Sequence, residues 1–281
     1  VHLRKQDPEP LRGLDELDAA TWLWRTREAL GDDRLALYSQ PIIPLSGGQP
    51  SEQLMVRTIA YDGDVVTPSI LLPTAEEAGV IFETDRWVIA HAAQIAAQGR
   101  RIAVTLSGAS IDHRLLAYIA SELHVAGADP TNLIVQLTKT ALFTDNRVVK
   151  EFADGLAELG CGLALDDLGT GLGTLTSLEL LPVQYLKVDA DFVRDLETNR
   201  TNQYVLEAIV RLARRLGRKT IAEGVQDEET LSLVCEYGID FAQGDHLGRP
   251  APVTSPHLGV CRLGARPMRR SFRRSLLTTM N

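Results

Sequence analysis

Two adjacent carboxylates, Asp166 and Asp167, end one short run of β-branched and aliphatic residues, and Glu223 lies near the end of another. Lys187 stands near the end of a third such run, and Arg57 and Gln53 share a fourth. Thr105, Gln136 with Lys139, and Gln243 take comparable positions on three more. One polar residue at a strand end is unremarkable. Seven strands each aiming one at the same mouth describe a polar ligand site, because α/β barrels carry their working residues where the βα loops begin.

The elements that would position these residues follow from periodicity. Strands are expected over 35–42, 53–59, 102–106, 133–138, 162–167, 185–189, 219–225 and 241–243, with helices over 85–98, 112–125, 147–159, 202–216 and 227–237. Runs apolar on both faces, such as IAVTL and GLALD, suit strands covered by helices outside and a packed interior inside. Eight strands mostly alternating with helices predict an α/β fold of the (β/α)8 TIM type. An open doubly wound sheet would want a GxGxxG turn after an early strand, and none is present. The GTGLG after the aspartate pair is only a superficial likeness.

Composition sets the outer limits. The chain has 281 residues, 44% hydrophobic and 23% charged, as ordinary globular chains do, which excludes disorder, collagen and coiled coil as whole-chain answers. Formal charge is −8, and the six arginines after Cys261 meet no acid, so residues 1–261 carry −14. That balance argues against a body built to coat nucleic acid or anionic lipid. Cys161, Cys235 and Cys261 are odd in number and far apart, which fits a reducing cytosol and supplies no zinc pair. No apolar run approaches a membrane span, and the first residues lack a signal-peptide core. The expected organisation is a linker and lead-in helix over 1–33, a barrel over 34–260, and a basic tail over 261–281. The lead-in helix, 18–30, reads equally as a connector from an upstream domain.

The motifs Y-S-Q-P-I (38–42), P-T-A-E-E-A-G-V-I (73–81), D-D-L-G-T-G (166–171), L-P-V-Q-Y-L-K-V-D (181–189), I-A-E-G-V-Q (221–226) and A-Q-G (242–244) closely resemble the EAL domain family, which hydrolyses the bacterial second messenger cyclic di-GMP. The resemblance runs from about Leu35 to Pro252. It implies a (β/α)8 barrel with one reversed strand near the start, a dinucleotide site at the mouth, and two divalent cations, Mg2+ or Mn2+, in active members. It further implies Asp166, Asp167 and Glu223 as metal ligands, Glu223 also as a base, and Lys187 near the attacking water. Arg57 resembles a phosphate-contacting arginine, with a structural ion pair as the alternative. Gln40 resembles a glutamine that reads a guanine edge, and Gln243 another ligand contact. Pro68, Glu76 and the 169–178 segment resemble the pocket wall and a dimerisation loop, while Asp189, Glu207 and His246 read as structural.

This sequence departs from the pattern at four places. Family ligand positions fall on Gln53, Thr105 and Gln136, and a loop-stabilising glutamate falls on Lys139. Glu52 cannot substitute for its neighbour, since adjacent strand residues face opposite ways. Amides and hydroxyls are weak replacements for carboxylate around Mg2+. The expectation is therefore a degenerate, catalytically inactive member without a metal cofactor, its missing charge supplied in part by Lys139 and Lys187. Three readings stay open: a cyclic di-GMP-binding regulatory module, a slow Mg2+- or Mn2+-dependent phosphodiesterase yielding pGpG, and a homodimerising or partner-binding module that no longer takes the nucleotide.

Overall fold

The computed structural model describes residues 35–59, 65–66, 81–138, 141, 146–168 and 181–253. Strand β1 (Leu35–Pro44) turns back into β2 (Ser51–Ile59), and the two-residue β3 (Val65–Val66) pairs with the end of β2. There follow α1 (Ile81–Ala96), β4 (Ile102–Leu106), α2 (His113–Ala126), β5 (Leu133–Leu137), α3 (Asn146–Leu159), β6 (Gly162–Leu168) and β7 (Tyr185–Val188). The chain continues through α4 (Ala190–Arg194), α5 (Arg200–Arg215), β8 (Lys219–Ala222), α6 (Glu228–Tyr237), β9 (Phe241–Gln243) and β10 (Ala251–Pro252).

Eight of these strands close a ring in the order β1-β9-β8-β7-β6-β5-β4-β2, with β1 returning to β2. Pairings from β2 through β9 are parallel, whereas β1 is antiparallel to both its neighbours. This is the expected barrel, and β1 is its reversed strand. The expected strands and long helices all form with ends shifted by a few residues. The short α4, which the periodicity did not suggest, starts where Asp189 accepts a hydrogen bond from the Asp191 amide. Helix ends carry their own stop signals. Asp112 and Asp227 accept amide hydrogen bonds at the starts of α2 and α6, and Gly127 and Gly238 end those helices in the left-handed region.

Period-two alternation divides the strands into two cores. Leu133, Val135, Leu163, Leu165 and Leu186 point outward and pack under the helices. Ile42, Ala103, Ile134, Ala164 and Ile221 point inward and form a separate buried cluster, with Tyr185 and Phe241 packed against it edge to face, 5.9 Å between ring centroids. Arg101 adds to the plug by donating from Nη2 to the Tyr185 hydroxyl at 2.6 Å. The lower barrel is thus apolar and filled. Among the described residues no helix is long and apolar enough to cross a membrane. The lead-in helix, the basic tail, Pro68, Glu76, Lys139, the 169–178 segment and the side chain of Asp167 lie outside what the structure describes.

Candidate functional site

A step of two residues along a strand keeps the same face and rises one layer. From the inward apolar residues Ala103, Ile134, Ala164, Tyr185, Ile221 and Phe241, that step reaches Thr105, Gln136, Asp166, Lys187, Glu223 and Gln243. On the reversed β1 the step runs backward, from Ile42 to Gln40. These seven polar residues therefore form one layer directly above the apolar plug. Between Leu165 and Leu168 the β6–β7 register shifts, a bulge that falls on Asp166 and Asp167. Such irregularities re-aim side chains at barrel rims.

Lys187 occupies the middle of this layer and is wholly buried. Its ammonium lies 2.6 Å from Glu223 Oε1 and 3.1 Å from Asp166 Oδ2. It also donates to Gln53 Oε1 at 3.2 Å and Gln136 Oε1 at 3.3 Å. Four oxygens face a group with only three protons, so the ammonium has no donor left for a water or a phosphate. Burial alone would push its pKa down; the Glu223 and Asp166 carboxylates outweigh that and hold it above the ordinary lysine range. Lys187 is thus a cation fixed in the middle of the layer.

An ammonium only donates, which fixes both amides with their oxygens toward it. Gln136 Oε1 also accepts from Thr105 Oγ1 at 2.9 Å, and the buried Gln136 Nε2 has no partner among the described residues. Glu52 turns the other way, as adjacent strand positions must. It forms a two-pronged pair with Arg100 at 2.6 and 2.9 Å, and this pairing outweighs burial to lower its pKa.

Beside the Lys187 layer opens a pocket of about 300 Å³, at the small end for ligand clefts. Its walls include Gln40, Gln53, Glu223, Gln226, Gln243 and Asp245. Gln243 Nε2 donates to Gln40 Oε1 at 3.0 Å, and Gln40 Nε2 donates to the Gly248 carbonyl at 3.1 Å and to Asp245 Oδ1 at 3.3 Å. The buried Gln243 Oε1 has no partner among the described residues. Asp245 and Gln226 were not singled out from sequence, although each closely follows a motif residue that was. Gly244 is required where the chain crosses β8, because a Cβ there would collide with the Val225 backbone.

Arg57 is half-buried, and its pKa is lowered by burial, partly offset by Tyr38. Among the described residues it makes no ion pair. It donates to its neighbour's carbonyl, Val56 O, at 3.2 Å, and its guanidinium lies 5.8 Å from the Tyr38 ring centroid. The structural ion pair offered as the alternative is therefore not formed with any described residue. Of the other residues weighed, Glu207 faces Arg211 at 3.9 Å and His246 faces Glu228 at 3.1 Å, both on the surface.

The donor set can be tested against the two divalent ions the resemblance implies. Mg2+ takes near-octahedral oxygen ligands at about 2.0–2.1 Å and relies on carboxylate charge. Among the described side chains only Asp166 and Glu223 bring charge to the layer, and both face an ammonium in its centre. No group of three or more His, Cys, Asp or Glu among the described residues could hold a metal ion. The described side chains do not by themselves fit a resident two-metal centre; the Asp167 side chain lies outside them.

Comparison with known proteins gives the layer its context. The EAL domain family profile matches residues 25–250. The chain is 30% identical over 243 residues to the cyclic di-GMP phosphodiesterase PdeF of Escherichia coli (strain K12), covering 84% of this chain and 32% of that protein. It is likewise 30% identical over 257 residues to the cyclic di-GMP phosphodiesterase NbdA of Pseudomonas aeruginosa, covering 88% and 33%. The chain thus spans about a third of the length of these relatives. Among solved structures, the PaMucR phosphodiesterase in its c-di-GMP complex superposes with a TM-score of 0.78 at 29% identity, covering 83% of this chain and 98% of that one. The FimX EAL domain from Pseudomonas aeruginosa bound to c-di-GMP gives 0.78 at 28% identity, covering 82% and 96%. A closed barrel with its first strand reversed, a polar layer at its mouth and a family match across nearly all of both lead to one conclusion: the chain belongs to the EAL domain family.

Proposed function

We propose that this chain is a degenerate EAL domain that binds cyclic di-GMP at the barrel mouth without hydrolysing it, as a regulatory module of bacterial cyclic di-GMP signalling. The observation that carries the reading is the Lys187 ammonium held by Asp166, Glu223, Gln53 and Gln136. A protonated lysine with every donor engaged activates no water, and carboxylates facing it are poor ligands for catalytic metal. Arg57, with no described ion pair, is the residue assigned to a phosphodiester oxygen. Gln243, a wall of the pocket, is assigned to a guanine edge, with Gln40 locked beside it as the second amide. Asp167 is assigned to the ligand as well. The c-di-GMP complexes of related EAL domains support this choice of ligand. The module acts in the cytoplasm, as a homodimer or with a partner protein.

Calorimetric titration of cyclic di-GMP in EDTA tests the reading. Metal-independent binding with no pGpG is expected, and Arg57→Ala should weaken it about 10–100-fold, the loss of one charge-assisted contact of about 1.5–3 kcal/mol. The names of the relatives favour a second reading, a metal-dependent cyclic di-GMP phosphodiesterase, with Asp166, Asp167 and Glu223 as its ligands and Glu223 also as its base. Product formed with Mn2+ and abolished by Asp166→Asn would establish it. Saturating nucleotide with neither heat nor product would leave the interaction module.

A further inference from the structure

The Lys187 environment is a cation cage. Asp166 Oδ2, Glu223 Oε1, Gln53 Oε1 and Gln136 Oε1 come from four different strands or strand ends and converge on one point at 2.6–3.3 Å. Two of the oxygens are carboxylate and two are amide carbonyl, a hard-oxygen set of the kind that alkaline-earth ions and Mn2+ take. The cage is closed below by the apolar cluster of Ile134, Ala164 and Ile221 with Tyr185. Gln136 Nε2 finds no partner among the described residues, and the amide turns its oxygen to the cation.

We infer that this cage is a cation site whose cation is the covalently attached Lys187 ammonium, and that the ammonium keeps divalent metal out of the barrel mouth. A tethered cation in contact with all four oxygens leaves an incoming ion none of these four to take, and repels it at close range. Occupancy of the neighbouring pocket then follows nucleotide concentration and is indifferent to Mg2+ or Mn2+. The inference rests on the receptor reading for that last consequence only; its test uses metal and protein alone.

Removing the tether should empty the cage and let a free ion in. Lys187→Ala is expected to bind Mn2+, read by loss of the free-ion signal in electron paramagnetic resonance, and to gain thermal stability as Mn2+ or Ca2+ is added. Asp166→Asn in the same background should abolish both effects, while wild type and Asp166→Asn alone should behave alike toward Mn2+. Wild-type protein that binds Mn2+ in an Asp166-dependent way would overturn the inference. So would a folded Lys187→Ala protein with no gain in metal binding. Should that variant fold poorly, 15N-lysine spectra of wild-type protein decide instead. The Lys187 ammonium resonance should stay sharp when Mn2+ is added, and Asp166-dependent paramagnetic broadening would sink the idea. Failure of cyclic di-GMP binding changes none of these outcomes, so the two proposals fail separately.

Discussion

At the scale of single residues the barrel mouth is governed by one buried positive charge. Replacing Lys187 by Met leaves Asp166 and Glu223 facing each other without their shared partner, and breaking a buried pair from one side costs about 3–5 kcal/mol. Urea denaturation at neutral pH should register that loss. The pH dependence has a definite sign. A lysine held above its unfolded value of about 10.4 contributes stability that is fully present below that pH. The contribution disappears as pH climbs through the folded value, so the gap between wild type and Lys187→Met should narrow on the alkaline side. Gln243→Ala removes both a pocket wall and the donor that orients Gln40, and should weaken cyclic di-GMP binding more than Gln226→Ala, which removes a wall alone. Calorimetry on the two variants checks the order.

The elements contribute through the places where they lock together. Asp240, ahead of β9, accepts from the Thr220 amide and hydroxyl and from Lys219 Nζ at 2.7 Å, and so ties the start of β8 to that of β9. Burial would raise its pKa, but these hydrogen bonds outweigh it and hold the carboxyl below the usual range. A carboxylate with a depressed folded pKa contributes stability above its unfolded value near ~3.9 and loses it as pH falls through the folded value. Asp240→Asn should therefore lower the melting temperature at pH 7 and make a shrinking difference as pH drops below about 4. Gly244 is the second lock. A methyl group added there meets the Val225 backbone, which cannot swing aside as a side chain can. Gly244→Ala should cost about 1–3 kcal/mol and distort the Gln243 wall, visible as a lower melting temperature and weaker ligand binding together.

At the scale of the whole molecule, closure of the ring brings distant residues into one layer. Lys187 and Gln53 are 134 positions apart and Gln40 and Gln243 are 203 apart, yet each pair shares a hydrogen bond. A ligand that joins these walls should stabilise the entire barrel. Cyclic di-GMP at about 100 times its Kd should add about 2.7 kcal/mol in EDTA, seen as a rise in melting temperature without metal. The same shift in Arg57→Ala should require a higher nucleotide concentration.

Much of this was legible in the sequence. Strand spacing, the filled apolar runs and the lack of a GxGxxG turn pointed to a barrel, because alternation and turn chemistry are local properties, and the family motifs completed that reading. The motif order identified the family, and the polar residues at strand ends named nearly every member of the mouth layer, because a fixed two-residue period makes facing predictable. What the tertiary structure decided was who touches whom. No local rule says that Lys187 ends among four oxygens, that the Gln53 and Gln136 amides turn their carbonyls to it, or that Gln40 is held by Gln243, Asp245 and Gly248. Those contacts exist only once β1 has closed the ring between β2 and β9. A hydrogen bond forms over about 3 Å, and only the closed barrel sets distances between strands that far apart in the chain.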